Sequence, residues 1–312
     1  MNLRLHLFGP LLALLLAGGC ATVKRTAVNQ VGNALSNGGE TFSSDDDPEL
    51  IRAAAPFSLK LTESLLAESP KHRGLLLTAA SGFTQYAYAF IQQDADEAES
   101  TDVARATALR ARARRMYLRA RDYGLRALDA NHSDFRAALA RDPHAAVATC
   151  EAADVPLLYW TAASWLAAIS IVKDRPDLID ELPQAEALLD RAAALDDTYA
   201  HGAIHTLLIT YEMARPGGSK DAASRARTHF DRALALGAGH EAGPLVTYAE
   251  AVCLPQQDRA QFEKLLRDAL ALDADFHPPT RLVNLIMQRR AHWLLSRVDD
   301  LFLAPAETPA KP

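Results

Sequence analysis

The sequence predicts an all-α protein built from stacked helix pairs, on three observations. Ala (60) and Leu (46) make up a third of the 312 residues, whereas Val and Ile together number only 19. Such a chain is rich in strong helix formers and poor in the β-branched residues that strands favour. No segment alternates polar and apolar residues with period 2. A short motif recurs at helix ends, as Ala192-Ala193-Ala194-Leu195-Asp196, Ala233-Leu234-Ala235-Leu236-Gly237 and Ala269-Leu270-Ala271-Leu272-Asp273. With 49% hydrophobic residues, 23% charged residues, 16 Pro and 15 Gly, the chain is not disordered. Its net charge of −6 argues against a nucleic-acid partner. No apolar run of 18 or more interrupts the body of the chain, so it is not a multi-span membrane protein.

Residues 1–19 read as a signal peptide. Arg4 supplies a positive start, and Leu11 to Ala17 form an apolar run too short to span a bilayer stably. The ending Leu16-Ala17-Gly18-Gly19-Cys20 resembles a bacterial lipobox, in which Cys20 becomes the lipidated first residue of the mature chain; Ala17 stands where Leu is commoner. Acyl chains contribute about 0.8 kcal/mol per buried CH₂, so two or three anchor a protein without a transmembrane helix. Ala21 follows Cys20 where an Asp would signal inner-membrane retention, so the resemblance favours the outer membrane. Residues 20–44, rich in Asn, Gly and Ser, read as a linker; about 24 flexible residues reach roughly 25–30 Å.

Residues 45–303 read as one helical domain and 304–312 as a flexible tail. Asp45-Asp46-Asp47-Pro48-Glu49 is a helix start, with an acidic cap and Pro at the first position. Helices are predicted over 48–69, 72–93, 101–129, 155–173, 183–195, 199–213, 220–236, 244–252, 258–272 and 278–302, with Pro56 kinking the first. In three of them small and large apolar residues recur at i, i+4 and i+7: Ala185, Leu189 and Ala192; Ala226, Phe230 and Ala233; Phe262, Leu266 and Ala269. They share one face. That pattern resembles the second helix of a tetratricopeptide repeat. Leu65 to Pro70 and Leu125 to Asp129 are fainter copies. The first-helix aromatic pattern is largely missing, so the repeats are degenerate and form one α-solenoid-like domain.

Catalytic and cofactor motifs are missing. Gly217-Gly218-Ser219-Lys220 lacks the strand and first Gly of a phosphate loop, and no G-x-S-x-G elbow or His-Glu-x-x-His occurs. His201 and His205 share a helix face, with Glu212 beyond their reach, but nothing supplies the remaining ligands of a metal site. No metal or cofactor is expected. Cys150 and Cys253 enclose a loop of about 100 residues. They either pair in an oxidising compartment, which the chain-entropy model values at about 4–5 kcal/mol, or pack as two small residues between Ala-rich helices. Tyr159, Trp160, Trp165, Tyr211, Tyr248 and Tyr86 are candidates to line a ligand groove or pore, against the alternative of ordinary core packing. Trp160 and Trp165, five apart, fall on partly different faces. Arg110, Arg112, Arg114, Arg115, Arg119 and Arg121 form a basic stripe, read as a solvated face paired with Asp94, Asp96, Glu97 and Glu99, or as a patch for an acidic partner.

From about residue 42 to 303 the chain resembles the TatT family, the T component associated with tripartite ATP-independent periplasmic (TRAP) transporters. The resemblance rests on Phe42 to Leu50, Gly74 to Leu77, Ala87-Tyr88-Ala89-Phe90, Leu158 to Ala162, Gly243-Pro244, Tyr248 to Val252, Gln257-Asp258, Asn284 to Ile286 and Asp300-Leu301-Phe302. Cys150 departs from the family pattern. The resemblance implies a lipid-anchored, non-enzymatic, tetratricopeptide-like periplasmic protein. It implies ring-like homotrimers that associate with a solute-binding P component and pass it a ligand or receive one. The alternatives are a tetratricopeptide-like scaffold for envelope assembly and, lacking any acid–base cluster, a helical hydrolase or lyase.

Overall fold

The structure, a computed structural model, describes residues 28–36, 39–171, 176–215 and 220–303. The leader, the lipidation candidate Cys20 and the tail 304–312 lie outside the described residues. Among the described residues the fold is all-α, with no strand.

The stretch read as a linker is partly helical: α1 spans 28–36 and α2 spans Gly39–Ser43. Its polar composition hid two apolar anchors, Leu35 and Phe42, which pack against the core. Ser69 Oγ donates to Asn29 Oδ1 at 2.7 Å and ties α1 to the loop ahead of α4.

Helix α3 (Pro48–Glu68) starts as expected. The Asp47 carboxylate accepts from the Glu49 and Leu50 backbone N–H groups at 3.0 Å, a cap worth about 1 kcal/mol. Helicity continues through Pro56. Helix α4 (Arg73–Tyr86) passes into a π-helical turn, Ala87–Gln92, and then into α5 (Gln93–Ala98). Helix α6 (Val103–Asn131) is capped by Asp102. Two short helices follow that the periodicity does not indicate, α7 (Phe135–Arg141) and α8 (Pro143–Val147). Asp142, accepting from Ala145 N at 3.1 Å ahead of Pro143, is the same start signal as Asp47-Pro48.

The chain continues through α9 (Val155–Ser170), α10 (Pro176–Ile179), α11 (Leu182–Leu195), α12 (Tyr199–Ala214), α13 (Ala222–Leu236) and α14 (Ala242–Tyr248). A second π-helical turn, Ala249–Cys253, extends α14. The last helices are α15 (Arg259–Leu270), α16 (Arg281–Ser296) and α17 (Val298–Leu301), with a break at Arg297 inside the segment expected to run to 302.

Packing is sequential: α4 on α6, α6 on α9, α9 on α11, α12 on α13, α14 on α15 and α15 on α16. Helices α6 and α9 approach closely enough that a Cβ on Gly124 would collide with Thr161 Oγ1. All nine residues of the three repeated i, i+4, i+7 sets are buried. Two apolar cores result. The first joins α3 to α11 with part of α12. The second is built from Ile209 of α12 and from α13 to α17.

Candidate functional site

Between the two cores lies a polar seam. The two π-helical turns and α5 meet there with α16, which crosses from one half to the other. A π-turn adds a residue to a helical turn and marks functional positions more often than regular helix does. From the first turn comes Tyr88, whose hydroxyl reaches Met287 Sδ at 3.8 Å. Burial, followed by the charge of Glu250, raises its phenol to about 12. Tyr88 nevertheless keeps 38% of its surface exposed. Beside it the Gln93 carboxamide is 2% exposed and lies within hydrogen-bonding reach of the Tyr88 hydroxyl.

Helix α16 supplies two arginines. Arg290 Nη2 bonds Glu250 Oε1, in the second π-turn, at 2.6 Å and meets Asp96 Oδ2 at 3.1 Å. Its guanidinium lies 4.4 Å over the Trp293 ring. Burial works against its charge, but Glu250 more than offsets that and raises the Arg290 pKa. Arg290 Nη1 is buried without a partner. Arg289 reaches Asp94 at 3.2 Å and Glu97 at 3.1 Å, while Arg52 of α3 holds the other side of Asp94 at 2.7 Å. Burial alone would raise the Asp94 pKa; the hydrogen bond and charge of Arg52, joined by Arg289, turn the shift downward. The seam thus clamps the halves with alternating charges and leaves Arg290 Nη1 with unused hydrogen-bonding capacity.

The six aromatic candidates do not converge on one cavity. Tyr159 and Trp160 stay half-buried and form a cluster with Tyr199, ring centroids 4.9 and 5.4 Å from Tyr159. Burial raises the Tyr159 and Tyr199 phenols. Trp165 is a core residue: its indole N–H donates to Glu181 at 2.9 Å, and Arg121 stacks 5.0 Å above the ring. Tyr86 packs on Phe90 in the first core, and Tyr248 packs on Phe230 in the second. Tyr211 is buried beneath Arg215. Its hydroxyl lacks a partner.

Cys150 and Cys253 are free thiols, both buried, one in each core, so the disulfide is not made. The histidine pair is also dismantled. Ala200, His201 and Gly202 have φ of +46°, +56° and +93°, so the i, i+4 spacing no longer sets direction. His201 packs on His277, while His205 Nδ1 meets His229 Nδ1 at 3.0 Å. In the basic stripe, Arg110 pairs with Asp96 and Glu99 as expected, whereas Arg121 turns to Glu181.

The sequence stretches that carried the family resemblance overlap both π-turns and include Asn284. Asn284 accepts from Ala242 N at 2.9 Å and donates to His240 O at 2.8 Å, fixing α16 to the start of α14. A family model described as TRAP transporter T-component matches residues 44–302. The chain belongs to the TRAP transporter T-component family. An uncharacterized protein of Treponema pallidum (strain Nichols) is 30% identical over 307 residues, covering 93% of this chain and 95% of that protein. Membership associates this T component with TRAP transporter systems. Among the described residues no helix is long and apolar enough to cross a membrane.

Tyr88 and Asp96 were each named from sequence, but their convergence with Gln93, Glu250 and Arg290 was missed because these residues span some 200 positions and form no local motif. A usable signal was present: two of the family-bearing stretches, Ala87 to Phe90 and Tyr248 to Val252, carry unusual polar or aromatic residues inside Ala-rich helix.

Proposed function

We propose that this T component is a non-enzymatic, lipid-anchored periplasmic accessory protein of a TRAP solute transport system. In this reading it docks a solute-binding P component and passes ligand through an oligomeric helical ring of its own copies. The observation that carries the proposal is the family match, which spans the helices from α3 through α17 and so includes both cores and the seam. Anchoring through Cys20 is supported by the lipobox-like ending of the leader, and an outer-membrane position by Ala21. The body stacks as degenerate tetratricopeptide-like pairs, a reading supported by the shared buried face of α11, α13 and α15.

Self-association, which we propose gives a trimer, is supported by the outer face of α3 only as a contact between copies. Leu50 is 55% exposed and Phe57 74% exposed, seven residues apart with exposed Ala53 between them. This exposed apolar stripe suits a second copy. For ligand contact, the half-buried Tyr159–Trp160–Tyr199 cluster and the open side of Tyr88 are the aromatic surfaces best placed. Trp165, Tyr86, Tyr211 and Tyr248 act through packing instead. Trp160→Ala is expected to weaken ligand or partner binding more than it lowers the melting temperature. Equal losses in the two measurements would make Trp160 a core residue.

The reading is tested by a tagged pull-down from detergent-solubilised native envelopes, with mass spectrometry of the co-purifying proteins. Enrichment of a periplasmic solute-binding protein over an unrelated lipoprotein control is the expected result. Recovery of outer-membrane assembly factors without a solute-binding protein would replace it with the scaffold reading.

A further inference from the structure

Far from the seam, the end of α6, the residue after the α8 turn and the turn before α9 converge. They bring together His132, Cys150 and Asp154, whose ligand-type atoms all lie within 4.8 Å of one another. We propose that these three side chains form a binding site for a zinc-class divalent cation, unrelated to the P-component reading.

The donor set carries the argument. A thiol, an imidazole and a carboxylate at one point match the ligands zinc takes, whereas magnesium and calcium select oxygen alone. Three protein ligands with a fourth position open is the arrangement of an accessible zinc site. His132 Nε2 and Asp154 Oδ2 stand 2.9 Å apart, within hydrogen-bonding distance. Two ligand atoms on one tetrahedral zinc stand roughly 3.3–3.8 Å apart, given bonds of about 2.0–2.3 Å. The imidazole and carboxylate therefore part by a few tenths of an ångström, while the thiol draws in.

The surroundings are preorganised. Asp154 Oδ1 is held by Arg73 at 3.0 Å and Asn131 at 3.2 Å, and Oδ2 accepts from Glu151 N at 3.1 Å. Those bonds fix the carboxylate, as outer partners do for metal ligands. Thr149 Oγ1 stands 3.5 Å from His132 Nδ1. When Nε2 takes the metal, the imidazole proton moves to Nδ1 and faces that hydroxyl. The Cys150 thiol becomes a thiolate and gives one proton to water, so each cation bound to the neutral imidazole releases one proton. Access comes from a cleft of about 440 Å³ whose lining includes His132, Thr149, Phe135 and Arg141. Cys150 lies behind it, 1% exposed, so the cation enters past His132.

The test uses the reduced, chelator-treated chain in detergent, titrated with Co²⁺ and followed by absorption, then with Zn²⁺ against a chromophoric chelator. The expected result is one Co²⁺ per chain, with a thiolate-to-cobalt charge-transfer band and tetrahedral d–d bands that Zn²⁺ removes. Cys150→Ser should abolish the band, and both it and His132→Gln should weaken Zn²⁺ binding at least about tenfold. Cys253→Ser, whose thiol lies in the other core, should leave both unchanged. No thiolate band in the wild-type chain, or a band that survives Cys150→Ser, would overturn the proposal. Should Cys150→Ser fail to fold, the wild-type spectrum and the Cys253→Ser control decide alone.

Discussion

Arg290 is where the two cores are joined, and its replacement has a calculable cost. Arg290→Met keeps most of the stem while removing the guanidinium between Glu250 and Asp96. Breaking a buried ion pair by deleting one partner costs about 3–5 kcal/mol, because the remaining charge is stranded. Here the stranded groups are not fully buried: the Glu250 and Asp96 side chains each keep 25% exposure, and Arg110 still reaches Asp96 at 3.2 Å. The expected loss is therefore about 2–3 kcal/mol. Glu250→Gln in the Arg290→Met background removes the stranded charge. The double variant should then be more stable than the sum of the singles by about 1–2 kcal/mol. Urea denaturation followed by far-ultraviolet circular dichroism at pH 7 measures all four corners of the cycle. Arg290→Met within about 0.5 kcal/mol of wild type, or strictly additive singles, would refute the seam as the clamp between the halves.

Other outcomes follow from the same structure. Burial lowers the pKa values of His205 and His229, whose facing charges are Asp197, Arg232, Glu212 and Arg225. The unfolded imidazoles take up protons near 6.5 that the folded pair resists, so stability should fall as pH drops below about 6.5. Glu241, pushed up to about 7 by burial, has the opposite slope. The difference between wild type and His229→Asn across pH 5–8 isolates the pair; an unchanged slope would exclude it. Phe57→Asp on the exposed face of α3 should reduce self-association in sedimentation velocity while leaving the melting temperature near wild type; an unchanged mass would remove that face from any copy-to-copy contact. Gly124→Ala should cost about 2 kcal/mol by overpacking against Thr161, and Thr161→Ala in that background should recover part of it. A neutral Gly124→Ala would mean that α6 and α9 are not so close.

The fold was legible where local chemistry decides. The Asp47-Pro48 start and the three i, i+4, i+7 apolar faces of α11, α13 and α15 carry their structural reason within a dozen residues. Helices α7 and α8 went unread because neither is long enough to show a period, although Asp142-Pro143 repeats the Asp47-Pro48 signal. The linker reading failed partly at Leu35 and Phe42, two apolar residues in a polar stretch that are enough to dock short helices. The His201–His205 face failed because three consecutive left-handed residues open α12, which a helical wheel assumes away. Loop length left the pairing of Cys150 and Cys253 open because it says nothing of distance; the two thiols pack in separate cores. The seam and the His132–Cys150–Asp154 cluster depend on contacts between remote segments. No spacing rule reaches them.

The most direct measurement is a calorimetric titration of the purified chain, in detergent, with the solute-binding protein that its native envelope yields, in ligand-free and ligand-loaded forms. Saturable binding with a whole-number ratio per protomer, weakened by Trp160→Ala and differing between the two forms, is the result predicted for a T component that docks its P component and exchanges ligand. Absence of heat and of co-sedimentation with either form would contradict the account.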